Sequence, residues 1–145
     1  MANELILIVE DKETNRKLLR DILQFRGYRT IEAEMGEDGV TLAKEHKPDL
    51  ILMDYKLPGI DGIEAFHRIR NASATAHIPI VAVTASAMPE DAKKMKEAGF
   101  DGFLTKPINV KGFVQFVADV FSAKAAKWAA IRMALALRER QAHSR

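Results

Sequence analysis

Four short apolar runs in this 145-residue sequence each deliver a side chain that could do chemistry. Leu5-Ile-Leu-Ile-Val9 runs into Glu10-Asp11, and Ile51-Leu-Met runs into Asp54. Ile80-Val-Ala-Val83 runs into Thr84, and Gly102-Phe-Leu-Thr105 into Lys106. Three carboxylates brought together repel one another unless a cation sits among them, and hard oxygen donors with few protein ligands suit Mg²⁺. A hydroxyl and an ammonium beside such a cation would surround the equatorial oxygens of a tetrahedral anion, the equipment of phosphoryl transfer. Asp54 would then be the nucleophile, with Mg²⁺ and Lys106 offsetting charge in the transition state. Each residue alone has a plainer reading. Asp54 could open the turn made by Pro58-Gly59, Glu10-Asp11 could cap the next helix, Thr84 could end a strand, and Lys106 could be an exposed lysine. All four exits carrying compatible chemistry favours the functional reading.

The elements that must position these residues are legible from hydrophobic spacing. Leu5–Val9 reads as a buried strand, and Glu13–Arg26 as a helix with Leu18, Leu19, Ile22, Leu23 and Phe25 at helical spacing, closed by Gly27. Tyr28–Glu32 alternates like a short strand, and Gly36–His46 is a modest helix stopped by Lys47-Pro48. The runs ending at Asp54 and Thr84 suit strands buried on both faces. Gly62–Arg70 carries Ile63, Phe66 and Ile69 on a helix. Pro89-Glu-Asp91 opens a further helix that stops at Gly99, and Asn109 caps the last. Strand and helix alternate five times, which predicts an α/β fold: a doubly wound, five-stranded parallel sheet of (βα)5 type. Ligands of such sheets bind outside the carboxyl ends of the strands.

Composition sets the outer limits. The chain is long enough for one domain with its own core, and it has no cysteine for disulfides, thiolate metal sites or a thiol nucleophile. With no long apolar run and no basic leader, the sequence predicts a cytoplasmic protein. The formal charge of +2 hides an asymmetry: residues 1–123 hold 16 basic and 19 acidic side chains, residues 124–145 hold 6 and 1. His46, His67, His77 and His143 are scattered and read as surface histidines. A haloacid-dehalogenase-type phosphatase would need a second carboxylate where Lys56 stands. A dinucleotide-binding domain would need glycines where Glu10-Asp-Lys-Glu13 stands.

The motifs Ile8-Val-Glu-Asp11, Leu52-Met-Asp-Tyr-Lys-Leu-Pro-Gly-Ile-Asp-Gly62, Pro79-Ile-Val-Ala-Val-Thr-Ala85 and Thr105-Lys-Pro107 resemble, in order and spacing, the receiver domain of two-component response regulators. The resemblance covers about residues 4–122 and is closest to the single-domain, stand-alone type. It implies a flavodoxin-like fold, and a phosphoryl group accepted on Asp54 from a histidine kinase or histidine phosphotransferase. It further implies Mg²⁺ held by Glu10, Asp11, Asp54 and the Lys56 backbone carbonyl, with Thr84 and Lys106 on the phosphoryl oxygens. Such domains catalyse their own Mg²⁺-dependent phosphorylation and dephosphorylation. Phe103 falls at the family's aromatic switch position, often Tyr, and the Lys106-Pro107 bond is expected to be cis.

The tail departs from that pattern. A receiver's last helix ordinarily ends near residue 122, but strong helix formers continue from Lys124 to Arg138. The division expected is therefore a receiver at 1–123 and a basic, apolar helical extension at 124–145. The last helix and its extension would together run about 30 residues, or ~45 Å. Trp128, Ile131 and Leu135 lie on one stripe and call for a partner. Homodimerisation is the first expectation, with docking on a kinase or other target as a second. A basic helix on anionic membrane or nucleic acid is a third, though neither is an expected partner. An adaptor acting through this helix without phosphorylation is the alternative function.

Overall fold

The computed structural model describes residues 3–85 and 88–122. The expected extension at 124–145, with Trp128, Ile131 and Leu135, lies outside the described residues. The element order is β1 (Leu5–Val9), α1 (Glu13–Phe25), β2 (Arg29–Ala33), α2 (Gly36–His46), β3 (Leu50–Asp54), α3 (Gly62–Arg70), β4 (Ile80–Thr84), α4 (Pro89–Ala98), β5 (Gly102–Thr105) and α5 (Val110–Phe121). All strand pairs are parallel, in the order β2-β1-β3-β4-β5. The fold is the flavodoxin-like one expected. The described elements match their sequence patterns to within a residue or so. β2, the least apolar strand, sits one residue later than its alternation suggests.

The buried strands sort by parity. Leu7, Val9, Ile51, Met53, Ile80 and Ala82 form one cluster with Val40 and Ala43 of α2, Ala65, Phe66 and Ile69 of α3, and Met95 of α4. Ile6, Ile8, Leu50, Leu52, Val81 and Val83 are also buried but stay outside that cluster, as do Leu19 and Leu23 of α1. A sheet buried on both faces explains why β3 and β4 read as unbroken apolar runs. Chain compactness divides the protein after Asn109, and α5 carries its own buried stripe of Phe113, Val117 and Val120.

Register decides which functional residues become neighbours. Val9 pairs with Met53, so Glu10 and Asp54 are each the next residue along adjacent strands. Asp54 pairs with Val83, which puts Thr84 one step beyond it, and Thr84 pairs with Thr105, so Lys106 follows. The neighbouring strands β1 and β3 are also where the winding of the sheet reverses, and ligand sites form at such points.

A half-buried ionic clamp holds the opposite edge of the sheet. Arg70, at the end of α3, donates to the carbonyls of Ala76 and Ile78 at 2.6 and 2.7 Å and to Asp101 Oδ2 at 2.8 Å. Asp101 Oδ2 also accepts from the Ile80 amide at 2.8 Å. The Arg70 guanidinium lies 5.1 Å from the centre of the Phe66 ring. Asp101→Ala takes the carboxylate from Arg70 and the side-chain acceptor from the Ile80 amide together. It is expected to cost ~2–4 kcal/mol in urea denaturation.

Candidate functional site

Glu10, Asp54 and Thr84 are all buried although each is polar, and Asp11 beside them is exposed. Burial of this kind is costly unless the groups are partnered. Lys106 supplies the partner: its Nζ lies 2.9 Å from Glu10 Oε2 and 3.3 Å from Asp54 Oδ2. The second Glu10 oxygen accepts from Asn15 Nδ2 at 3.0 Å and, more weakly, from the Lys12 amide at 3.4 Å. Asp54 Oδ1 accepts from the Lys56 amide at 3.2 Å. Asp54 therefore does open a turn, and still presents its other oxygen to the cluster. Neither Glu10 nor Asp11 caps α1, whose N-cap is Lys12 with no side-chain cap bond.

The backbone around this cluster is equally fixed. The Lys106 amide donates to the Thr84 carbonyl at 2.7 Å, and the Lys106-Pro107 peptide is cis. Beyond β3, the Gly62 amide donates to the Tyr55 carbonyl at 3.0 Å, and Asp61 caps α3 by accepting from the Glu64 amide at 2.9 Å. An open cavity of about 410 Å³ results, lined by Asp11, Lys12, Asp54, Lys56, Thr84, Ala85 and Lys106.

The electrostatics are those of two carboxylates competing for one cation. Burial and the contact with Glu10 push the Asp54 carboxyl up to about 6 from 3.8. Burial pushes Glu10 up as well, but hydrogen bonds from Asp54, Lys106 and Asn15 outweigh it and leave Glu10 below its ordinary value. Burial lowers Lys106, and its contacts with Glu10 and Asp54 overcome this and hold the ammonium above its ordinary value. Without a metal ion the Asp54 carboxyl thus keeps its proton to a higher pH than an ordinary aspartate, while Glu10 loses its own at a lower pH than an ordinary glutamate.

One carboxylate oxygen from each of Glu10, Asp11 and Asp54 lies within 4.8 Å of the others, close enough for a single ion to bind all three. Hard oxygen donors beside an open cavity fit a Mg²⁺-sized cation, which ordinarily keeps several waters. The excess of carboxylate charge over one lysine gives that cation a reason to bind.

Six residues singled out from sequence therefore meet at one place: Glu10, Asp11, Asp54, Lys56, Thr84 and Lys106. Phe103 does not. It is 46% exposed and lines a separate cleft with Ala92, Lys93, Lys96 and Phe100. Sequence reasoning missed Asn15, whose amide holds Glu10. Its position in the first turn after an acidic pair was the available signal. The Arg70–Asp101 clamp carried no such signal, because its partners are 31 residues apart.

Comparison with known proteins agrees with this geometry. Residues 6–118 match the family model described as response regulator receiver domain. The polar-differentiation response regulators DivK of Brucella anthropi and Brucella ovis are each 41% identical over 112 residues, covering 77% of this chain and 91% of theirs. Among solved structures, the receiver domain of a sensor histidine kinase from Pseudomonas aeruginosa superposes with a TM-score of 0.74 at 32% identity. That match covers 79% of this chain and 93% of the other, and that structure holds a magnesium ion in its active-site cleft. A chemotaxis response regulator from Vibrio cholerae gives 0.77 at 27% identity, covering 82% and 99%.

Proposed function

The chain belongs to the response regulator receiver family, and from that premise we propose that Asp54 is the residue phosphorylated in it. The protein is a phosphoacceptor in two-component signalling, and a histidine kinase or histidine phosphotransferase is the class of donor. The observation that carries the assignment to Asp54 is its placement. It is buried at the exit of β3, with one oxygen tied to the Lys56 amide and the other facing Lys106 and the cavity.

In the transfer, an Asp54 oxygen attacks phosphorus as the bond from phosphorus to the donor imidazole nitrogen breaks. The leaving electron pair stays on that nitrogen. Glu10, Asp11, Asp54 and the Lys56 carbonyl are the proposed Mg²⁺ ligands. When bound, the ion neutralises carboxylate charge and polarises the phosphoryl oxygens. Lys106 lies within reach of the phosphoryl oxygens and offsets their growing charge. Thr84, at the cavity wall, donates its hydroxyl to the product. Its movement toward the phosphoryl group lets Phe103 turn inward and changes the face made by α4 and β5. The alignment takes in 91% of the DivK relatives, which supports reading the receiver as a DivK-like switch working through protein contacts. The basic tail adds a homodimer contact through Trp128, Ile131 and Leu135. Sedimentation of the protein truncated after Ala123 tests this, and an unchanged oligomer rules it out.

Incubation with a small phosphodonor and Mg²⁺, followed by intact-mass measurement, tests the acceptor reading. One phosphoryl group should be gained with Mg²⁺ and none with chelator; no gain in either would refute it. Lys106→Ala should slow uptake on the order of 10²-fold, because the site loses the ammonium that contacts Glu10 and Asp54. A rate equal to wild type would show that Lys106 only balances Glu10.

A further inference from the structure

Glu37, in the first turn of α2, carries an unassigned role. Its Oε1 accepts from the Ile60 amide at 2.8 Å, 23 residues away. Ile60 lies in the loop between β3 and α3, whose other hydrogen bonds among the described residues run to its own flanks: Lys56 to Asp54, Tyr55 to Gly62 and Asp61 to Glu64. Glu37 is thus the tether from outside the loop and its flanking elements. The fit around it is close. Gly59 has φ of +75°, and a Cβ there would lie 2.7 Å from Glu37 Oε2. A Cβ on Gly36 would lie 2.7 Å from Ile60 Cγ1 and 2.8 Å from its carbonyl oxygen. Two glycines therefore let the start of α2 press on this loop, and the carboxylate fastens it there.

From this we infer that Glu37 is a positioning residue for the Asp54 site, acting through the loop. With Ile60 held, the Lys56 amide stays against Asp54 Oδ1, which fixes the carboxylate rotamer and leaves Oδ2 directed at Lys106 and the cavity. Releasing Ile60 frees that amide, and Asp54 loses the orientation that a cation and a phosphoryl group both need. Groups that hydrogen-bond metal ligands directly change affinity on the order of 10- to 100-fold when removed, and Glu37 acts one step further out, so the low end applies. The inference rests on the proposed Mg²⁺ role of Asp54 only for its binding readout.

The test compares wild type, Glu37→Ala and Glu37→Gln as full chains. Calorimetric titration with Mg²⁺ should give about tenfold weaker binding for Glu37→Ala. Glu37→Gln, which keeps an acceptor oxygen, should stay close to wild type. Hydrogen exchange in chelator should show faster exchange at the amides of Ile60 and Lys56 in Glu37→Ala alone. That readout does not depend on metal. If wild type binds no Mg²⁺, the metal assignment fails, and the exchange result still decides the loop role. Unchanged exchange at Lys56 in Glu37→Ala overturns the inference, as does Glu37→Gln behaving like Glu37→Ala.

Discussion

Asp54→Asn will take up no phosphoryl group and will be more stable than wild type in metal-free buffer at pH 8. The first half follows from replacing a carboxylate nucleophile with an amide that cannot form the acyl phosphate. The second half follows from linkage. The fold raises the Asp54 carboxyl from 3.8 to about 6, so the folded protein prefers its protonated form. That contribution to stability is fully present below about pH 4 and is lost as pH rises through about 6. Glu10 is shifted the opposite way, so part of the loss is offset. The amide needs no proton and can donate to Glu10. A gain of ~1–2 kcal/mol at pH 8, shrinking toward pH 5, is expected. Urea denaturation in chelator at the two pH values measures it. Mg²⁺ should stabilise wild type at pH 8 and the variant much less. A variant no more stable than wild type at pH 8 would mean that Lys106 already satisfies both carboxylates.

Gly62→Ala is the second large effect, and it works through space rather than charge. A Cβ at this position would lie 2.5 Å from the Asp54 carbonyl oxygen, with Tyr55 Cα and O each at 3.0 Å. All three are backbone atoms, and none can rotate away. Either α3 or the exit of β3 must shift, so one methyl group should cost ~2–4 kcal/mol and weaken Mg²⁺ binding as Asp54 moves. Gly39→Ala is the informative contrast. Its Cβ would meet Val9 Cγ2 at 2.8 Å and Cγ1 at 3.1 Å, side-chain atoms of a stiff core residue rather than backbone. About 1–2 kcal/mol is expected there, less than at Gly62 because side-chain atoms rather than backbone must give way. Equal denaturation midpoints for the two variants would remove the steric argument.

The glycine contrast also shows where sequence stops being informative. Gly62 and Gly39 look alike in the chain, each at a helix start or within its first turns. Only the packed structure separates a contact with backbone from one with a side chain. The acidic pair shows the same limit. Glu10 and Asp11 are consecutive and chemically similar, yet Glu10 is 1% exposed and bonded to Lys106 while Asp11 faces solvent. Both lie just past the end of β1, where the chain turns toward α1, and sequence does not say which one Lys106 will meet.

The sequence by itself determined the alternation of elements, the doubly buried strands β3 and β4, and the chemistry at each strand exit. These depend on residue type and spacing within a few positions, which local periodicity records directly. Tertiary structure alone decided the pairings across large separations. Examples are Lys106 with Glu10, Arg70 with Asp101, and Glu37 with the Ile60 amide. It also decided that Asp54 serves as turn residue and site carboxylate at once, with one oxygen for each. Parallel register and the β2-β1-β3-β4-β5 order bring these residues together, and both are set by packing on the two faces of the sheet rather than by any local signal.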